Sequence, residues 1–186
     1  MIIGVINIKG GVGKTTSSLA IATAAQRSGL SVTVVDTDPQ GSANRWAQAA
    51  EDADDPLPFP VVSRNQAEIR RMRERRPDRN GELIVIDTPP NGAVVDEVIK
   101  TADFVVIPTL SSPIDLQQTM LTAAQCQDAG KDYAVLIVMA RKGTNALRAF
   151  RTAVEEYGAG IFDTEIPLRE DFKADFGHTF RSNLNG

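Results

Sequence analysis

Short apolar runs alternate with longer segments of helical composition along nearly the whole chain. MIIGVINI (1–8) is an apolar run that ends at a glycine-rich loop, and TTSSLAIATAAQRSG (15–29) follows it as a helix, filled by Ala and Leu and stopped by Gly29. LSVTVVD (30–36) is β-branched and apolar, so a second strand, and GSANRWAQAAED (41–52) a short helix. DDPLPFP (54–60) carries three prolines and predicts a loop. QAEIRRMRERR (66–76) is helical and strongly basic. The same alternation then continues: strand 82–87, helix 93–102, strand 103–109, helix 115–130, strand 133–140 and helix 145–158, with a weak strand leading into IPLRED (166–171). Strands that alternate with helices predict an α/β fold, a mostly parallel twisted sheet with helices on both faces. No repeat or linker divides the chain, so residues 1–186 read as one domain. A parallel sheet of this kind binds ligands outside the carboxyl ends of its strands.

Composition narrows the function classes. With 42% apolar and 24% charged residues, the chain is of ordinary globular type. Its net charge of -4 argues against binding nucleic acid over the whole surface, so any such contact needs a local basic patch. The single cysteine, Cys126, excludes an intrachain disulfide framework and a Cys-rich metal site. Met1 leads directly into an apolar strand with no basic leader, and no apolar run reaches the ~18–20 residues that span a bilayer. The expected location is the cytoplasm.

The chemistry concentrates at IKGGVGKTT (8–16). A phosphate-binding loop usually reads G-x-x-x-x-G-K-[ST], but Ile8 stands where its first glycine would fall and an extra lysine, Lys9, follows. The loop nevertheless joins a strand to a helix, the context this chemistry requires. Gly10, Gly11 and Gly13 let backbone N–H groups turn inward, and with Val12 between them and the positive helix end they form a polyanion cradle. Lys14 is placed to reach the β- and γ-phosphates of ATP, Thr15 to ligate Mg²⁺, and Thr16 to reach the α-phosphate side.

KGGVGKTT resembles the deviant Walker A motif of the ParA/MinD ATPases. DTDPQGSA (36–43), LIVIDTPP (83–90) and IPLRE (166–170) resemble, in order, that family's second acidic motif, its Walker B strand and its segment beside the adenine. Within the family, DPQGSANRW looks most like the small plasmid-partition ParA proteins. The resemblance implies a P-loop NTPase fold, slow Mg²⁺-dependent ATP hydrolysis and an ATP-sandwich homodimer. In that dimer Lys9 would cross to the partner subunit's phosphates, as an arginine finger does but with a point charge. Pro167 and Leu168 would flank the adenine. Asp36 and Asp87, each ending a strand, would hold Mg²⁺ through water. Asp38 would orient the attacking water, its alternative role being a turn residue before Pro39.

Residues 64–79 hold seven arginines against two glutamates and one aspartate. They read either as a sequence-independent DNA surface or as a solvated helix face tied by pairs such as Arg70–Glu74. Arg70, Arg71, Arg141, Lys142 and Arg169 are the candidate DNA contacts, with Arg151 and Arg181 competing. The family's small members close with a further helix, whereas GHTFRSNLNG (177–186) stops without one. That ending implies a short or truncated terminus and offers no basic amphipathic helix for a membrane. Lone His178 has no metal-ligand company.

The function implied by the resemblance is DNA partitioning of a plasmid or chromosome, with nonspecific DNA, nucleoid association in the ATP state and a ParB-like centromere-binding protein as partner. A related positioning ATPase with a protein cargo is the alternative. A metabolic enzyme with a shared iron–sulfur cluster is disfavoured by the isolated Cys126, and a catalytically dead scaffold by the intact Lys14, Thr15, Asp38 and Asp87.

Overall fold

In the computed structural model, residues 1–75, 81–168 and 177–180 are described. Six parallel strands form one sheet in the order β3-β2-β4-β1-β5-β6. They are β1 (Ile2–Val5), β2 (Ser31–Asp36), β3 (Val61–Ser63), β4 (Glu82–Asp87), β5 (Phe104–Thr109) and β6 (Tyr133–Ile137). Among the described residues six helices connect or flank them: α1 (Lys14–Arg27), α2 (Ser42–Asp52), α3 (Gln66–Arg75), α4 (Ala93–Thr101), α5 (Pro113–Asp128) and α6 (Asn145–Glu156).

The strand sequences are apolar on both faces because both faces are covered. On one face Ile84 and Ile86 of β4 meet Ile69 of α3, Val95 and Val98 of α4, and Ala123 and Cys126 of α5. On the other, Leu83 and Val85 meet Leu19 and Ala22 of α1 and Ala43 and Trp46 of α2. Helix α6 covers the β6 edge through Leu147, Phe150 and Val154. Gly4 of β1 is small for a reason: a Cβ there would stand 3.1 Å from Val98 Cγ1 and 3.4 Å from Ala102 Cβ, so glycine lets α4 lie close to the central strand.

The sheet differs from the sequence expectation at both edges. β3 follows the proline-rich loop and pairs with the end of β2, Asp36 opposite Ser63. The expected strand after residue 158 reduces to two isolated bridges, Val135 with Ile161 and Ala140 with Pro167. Helix α5 begins at Pro113, two residues before the expected start. Proline suits a first helical position, and a Ser112–Asp115 capping box closes that end. Among the described residues no helix is long and apolar enough to cross a membrane.

The strand order places the functional loops together. From β1 the chain runs outward to β2 and β3, returns through β4 beside β1, and then crosses to β5. The carboxyl ends of β1, β2 and β4 therefore adjoin where the winding reverses, and that is where ligands bind in such sheets.

Candidate nucleotide site

The phosphate loop leaves β1 under firm control. Ile6 N–H donates to Val106 O (3.0 Å), Asn7 Nδ2 to Pro108 O (2.9 Å) and Ile8 N–H to Thr122 Oγ1 (3.3 Å). The side-chain oxygen of Asn7 accepts from Lys9 N–H at 2.8 Å. Gly11 and Gly13 have φ of 75° and 73°, the left-handed region, so backbone conformation demands glycine at both. Val12 is fully buried and pegs the loop to the core. No side chain caps the first turn of α1, whose N–H groups open toward the loop.

Lys14 lies almost wholly out of water, its Nζ donating to Lys9 O at 2.9 Å across the loop. Burial lowers its ammonium pKa, and the nearby Asp87 and Asp38 carboxylates offset part of that fall. A desolvated cation beside a glycine-rich loop and an uncapped helix start favours a polyanion. Thr15 Oγ1 donates to Asp87 Oδ2 (2.7 Å) and Ser18 Oγ to Asp87 Oδ1 (3.1 Å). Asp87 is fully buried, and burial pushes its carboxyl up to about 7 against the pull of these hydroxyls. Thr16 is half-buried one residue further along α1.

The second acidic loop hangs on the same strand ends. Thr37 donates twice to Asp87 O, from its N–H (3.0 Å) and its hydroxyl (2.7 Å). Asp38 forms a tight turn, accepting Gln40 N–H on Oδ1 at 2.8 Å. Asp36 stands at the carboxyl edge, but its carboxylate turns toward α2. Oδ2 accepts from Ala43 N–H (3.0 Å), Asn44 N–H (3.1 Å) and Asn44 Nδ2 (3.0 Å), while Oδ1 accepts from Asp38 N–H (3.0 Å). A role for Asp36 at Mg²⁺ thus competes with four donors already in place. Thr88 donates to Val5 O at 2.9 Å and ties the turn after β4 to the root of the phosphate loop. A cavity of about 430 Å³ opens between Asp38, Asn65 and Pro89.

The Lys9 side chain, partly exposed, reaches across to the start of α5. Its Nζ forms an ion pair with Asp115, which is 2% exposed. Burial raises the Asp115 carboxyl, but hydrogen bonds from Lys9 and Ser112 outweigh it, and the net direction is down. Sequence reasoning missed Asp115. The capping pattern S-P-I-D is legible at 112–115, but a second duty toward a lysine 106 positions away is not.

In the segment expected beside the adenine, Ile166 N–H donates to Ile137 O (2.9 Å) and Leu168 N–H to Ala140 O (3.0 Å), so 166–168 runs beside the end of β6. Val138 in that stretch lies 3.6 Å from where a Gly13 Cβ would stand, which sets Pro167 and half-exposed Leu168 on the phosphate-loop side of the fold. The basic residues are dispersed. Arg70 (3.3 Å) and Arg73 (2.9 Å) of α3 pair with buried Glu97 of α4, instead of the expected Arg70–Glu74 pair. Arg71 is exposed on α3, and Arg141 and Lys142 are exposed in the turn before α6. Arg151 is held by Glu165 at 2.8 Å. Arg169 and Arg181 lie outside the described residues.

These residues fit a magnesium nucleotide. The Thr15 hydroxyl and Asp87 carboxylate are hard oxygen donors beside the cradle. Among the described residues no group of three or more His, Cys, Asp or Glu side chains could hold a metal by itself. That donor set suits a cation that keeps its waters and shares the substrate's phosphates.

Known proteins place the site in context. The maintenance of carboxysome distribution protein A of Gloeobacter kilaueensis is 35% identical over 170 residues, covering 89% of this chain and 76% of the relative. The protein of the same name from Halothiobacillus neapolitanus is 30% identical over 179 residues, covering 92% and 81%. Among solved structures, the MinD cell division protein of Aquifex aeolicus superposes with a TM-score of 0.77 at 17% identity, covering 96% of this chain and 87% of that one; at that identity the likeness is one of fold. The CobQ/CobB/MinD/ParA nucleotide binding domain matches residues 3–179, nearly all of the described sheet and both acidic loops, and the chain belongs to that family.

Proposed function

We propose that this protein is an ATP-hydrolysing switch that positions a protein cargo, using an ATP-dependent homodimer on nonspecific DNA. The observation that carries the ATPase half is the cradle: buried Lys14 under glycine N–H groups, with Thr15 and Asp87 in contact at its side. What favours a protein cargo over the plasmid or chromosome implied by the sequence resemblance is the pair of relatives at 30% and 35% identity, both named for carboxysome distribution. The expected ParB-like partner becomes, in this reading, an adaptor protein carried by the cargo.

Phosphoryl transfer to water needs positioning and charge stabilisation more than a strong base. Lys14 and the loop N–H groups draw charge from the β- and γ-phosphates. Bound Mg²⁺ would neutralise phosphate charge beside Thr15 and Asp87. Asp38 orients the attacking water and accepts its proton. Lys9 must leave Asp115 to reach the γ-phosphate of the partner subunit, so closure of the dimer exchanges an internal ion pair for one across the interface. Arg70, Arg71, Arg141 and Lys142 are the exposed candidates for backbone contact with DNA, Arg70 while also paired with Glu97.

The test has two arms. Purified protein with Mg²⁺ and ATP should release phosphate slowly and bind DNA of any sequence in ATP but not ADP, with steep weakening by salt. Deletion of the gene in its host should scatter or cluster a protein body while leaving replicons inherited normally. Loss of a plasmid with no effect on any protein body would return the reading to DNA partition.

A further inference from the structure

Asp38 is set in place by an arrangement that reaches well beyond its own loop. Helix α2 begins after Gly41, which offers no side chain to cap it. The cap comes instead from Asp36 at the end of β2, whose Oδ2 accepts Ala43 N–H and Asn44 N–H. The other oxygen of the same carboxylate holds Asp38 N–H at 3.0 Å. One carboxylate therefore fixes both ends of the loop that presents Asp38. Its rotation about the Cβ–Cγ bond would loosen both ends together.

Asn44 prevents that rotation. Its side-chain nitrogen donates to Asp36 Oδ2 at 3.0 Å and to Ser63 Oγ at 2.9 Å. Both protons of the carboxamide are used, so its plane is set by two partners on different strands. Ser63 is the residue opposite Asp36 in the β2–β3 register, and Arg64 N–H donates to Asp36 O at 3.0 Å. The strut thus spans α2, β2 and the edge strand β3. We propose that Asn44, braced by Ser63, is a positioning residue for hydrolysis, locking the Asp36 carboxylate so that Asp38 faces the attacking water. The inference rests on the ATPase reading above. The hydrogen bonds of Asn44 go to Asp36 and Ser63 and not to the phosphate loop, so its loss should spare nucleotide affinity.

Steady-state phosphate release by the full chain with Mg-ATP, together with the binding of a nonhydrolysable ATP analogue, tests this. A loosened water-positioning group should lower kcat in Asn44→Ala about tenfold, with KM and analogue affinity unchanged. Ser63→Ala should fall by a smaller factor in the same direction, and Ser63→Thr, which keeps the hydroxyl, should match the wild type. Backbone amide exchange without nucleotide gives an activity-independent readout: Asn44→Ala should lose protection at Asp38, Ala43 and position 44 while the β4 amides stay protected. Wild-type kcat in Asn44→Ala, or a fall in analogue affinity parallel to the fall in kcat, would overturn the inference and leave the ATPase reading intact. Unchanged exchange at those three amides would overturn it as well. No phosphate release by the wild type would overturn the ATPase reading and this inference with it.

Discussion

Replacing Asp87 by Asn should change how stability depends on pH. Burial raises the Asp87 carboxyl from 3.8 to about 7 in the nucleotide-free fold. Between those values the native state holds a proton that the unfolded chain has released. Stability therefore falls as pH rises through that window, and the loss is complete above about pH 7. The shift is about three pH units at ~1.4 kcal/mol each, so the wild type should lose on the order of 4 kcal/mol from this group. The other shifted groups are present in both proteins. Asp115 is lowered, so its contribution is lost only as pH falls below the ordinary carboxylate range, and Lys14, lowered by burial, acts below its ordinary 10.5. Asn cannot ionise but still pairs with the Thr15 and Ser18 hydroxyls. Urea denaturation at several pH values between 4.5 and 8, in metal-free and nucleotide-free buffer, should show the wild type weakening while Asp87→Asn stays nearly flat. Equal slopes for the two proteins would refute the idea that Asp87 is held protonated by burial.

Further expectations concern the loop and the core. Lys14→Ala should abolish ATP binding in equilibrium titration with a labelled nucleotide, because the buried countercharge of the β- and γ-phosphates is gone. Lys9→Ala should bind ATP normally yet lower the stability of the nucleotide-free monomer by about 1–2 kcal/mol in urea melts, since Asp115 keeps its charge and loses its cation. Gly4→Ala should cost about 1–3 kcal/mol by forcing α4 away from β1, read as a lowered melting temperature.

Much of this architecture was legible because parallel strands buried on both faces are continuous apolar runs. ELIVID coincides with β4, and the helix expected over 145–158 is α6, which ends two residues earlier at Glu156. The edge strand β3 escaped notice because three residues after a proline cluster carry no periodicity. The phosphate loop was legible as a local motif whose glycines and lysine act within a few residues of one another. The partners of its outer residues were not. Lys9 meets Asp115, Arg70 meets Glu97, and Asn44 joins Asp36 to Ser63, each across distant sequence positions. Asp36 is the instructive case. Its position at a strand end suggested metal chemistry, yet Asn44 and the bare glycine start of α2 draw its carboxylate toward the helix.

The central claim is that ATP gates a dimer through Lys9, and sedimentation velocity of an Asp38→Ala background tests it most directly. With hydrolysis blocked, Asp38→Ala should sediment as a dimer in Mg-ATP and as a monomer in Mg-ADP. Adding Lys9→Ala to the same chain should leave ATP bound but return the protein to a monomer, because two γ-phosphates would then face each other with no bridging cation. A double variant that dimerises in ATP as fully as Asp38→Ala alone would contradict the account.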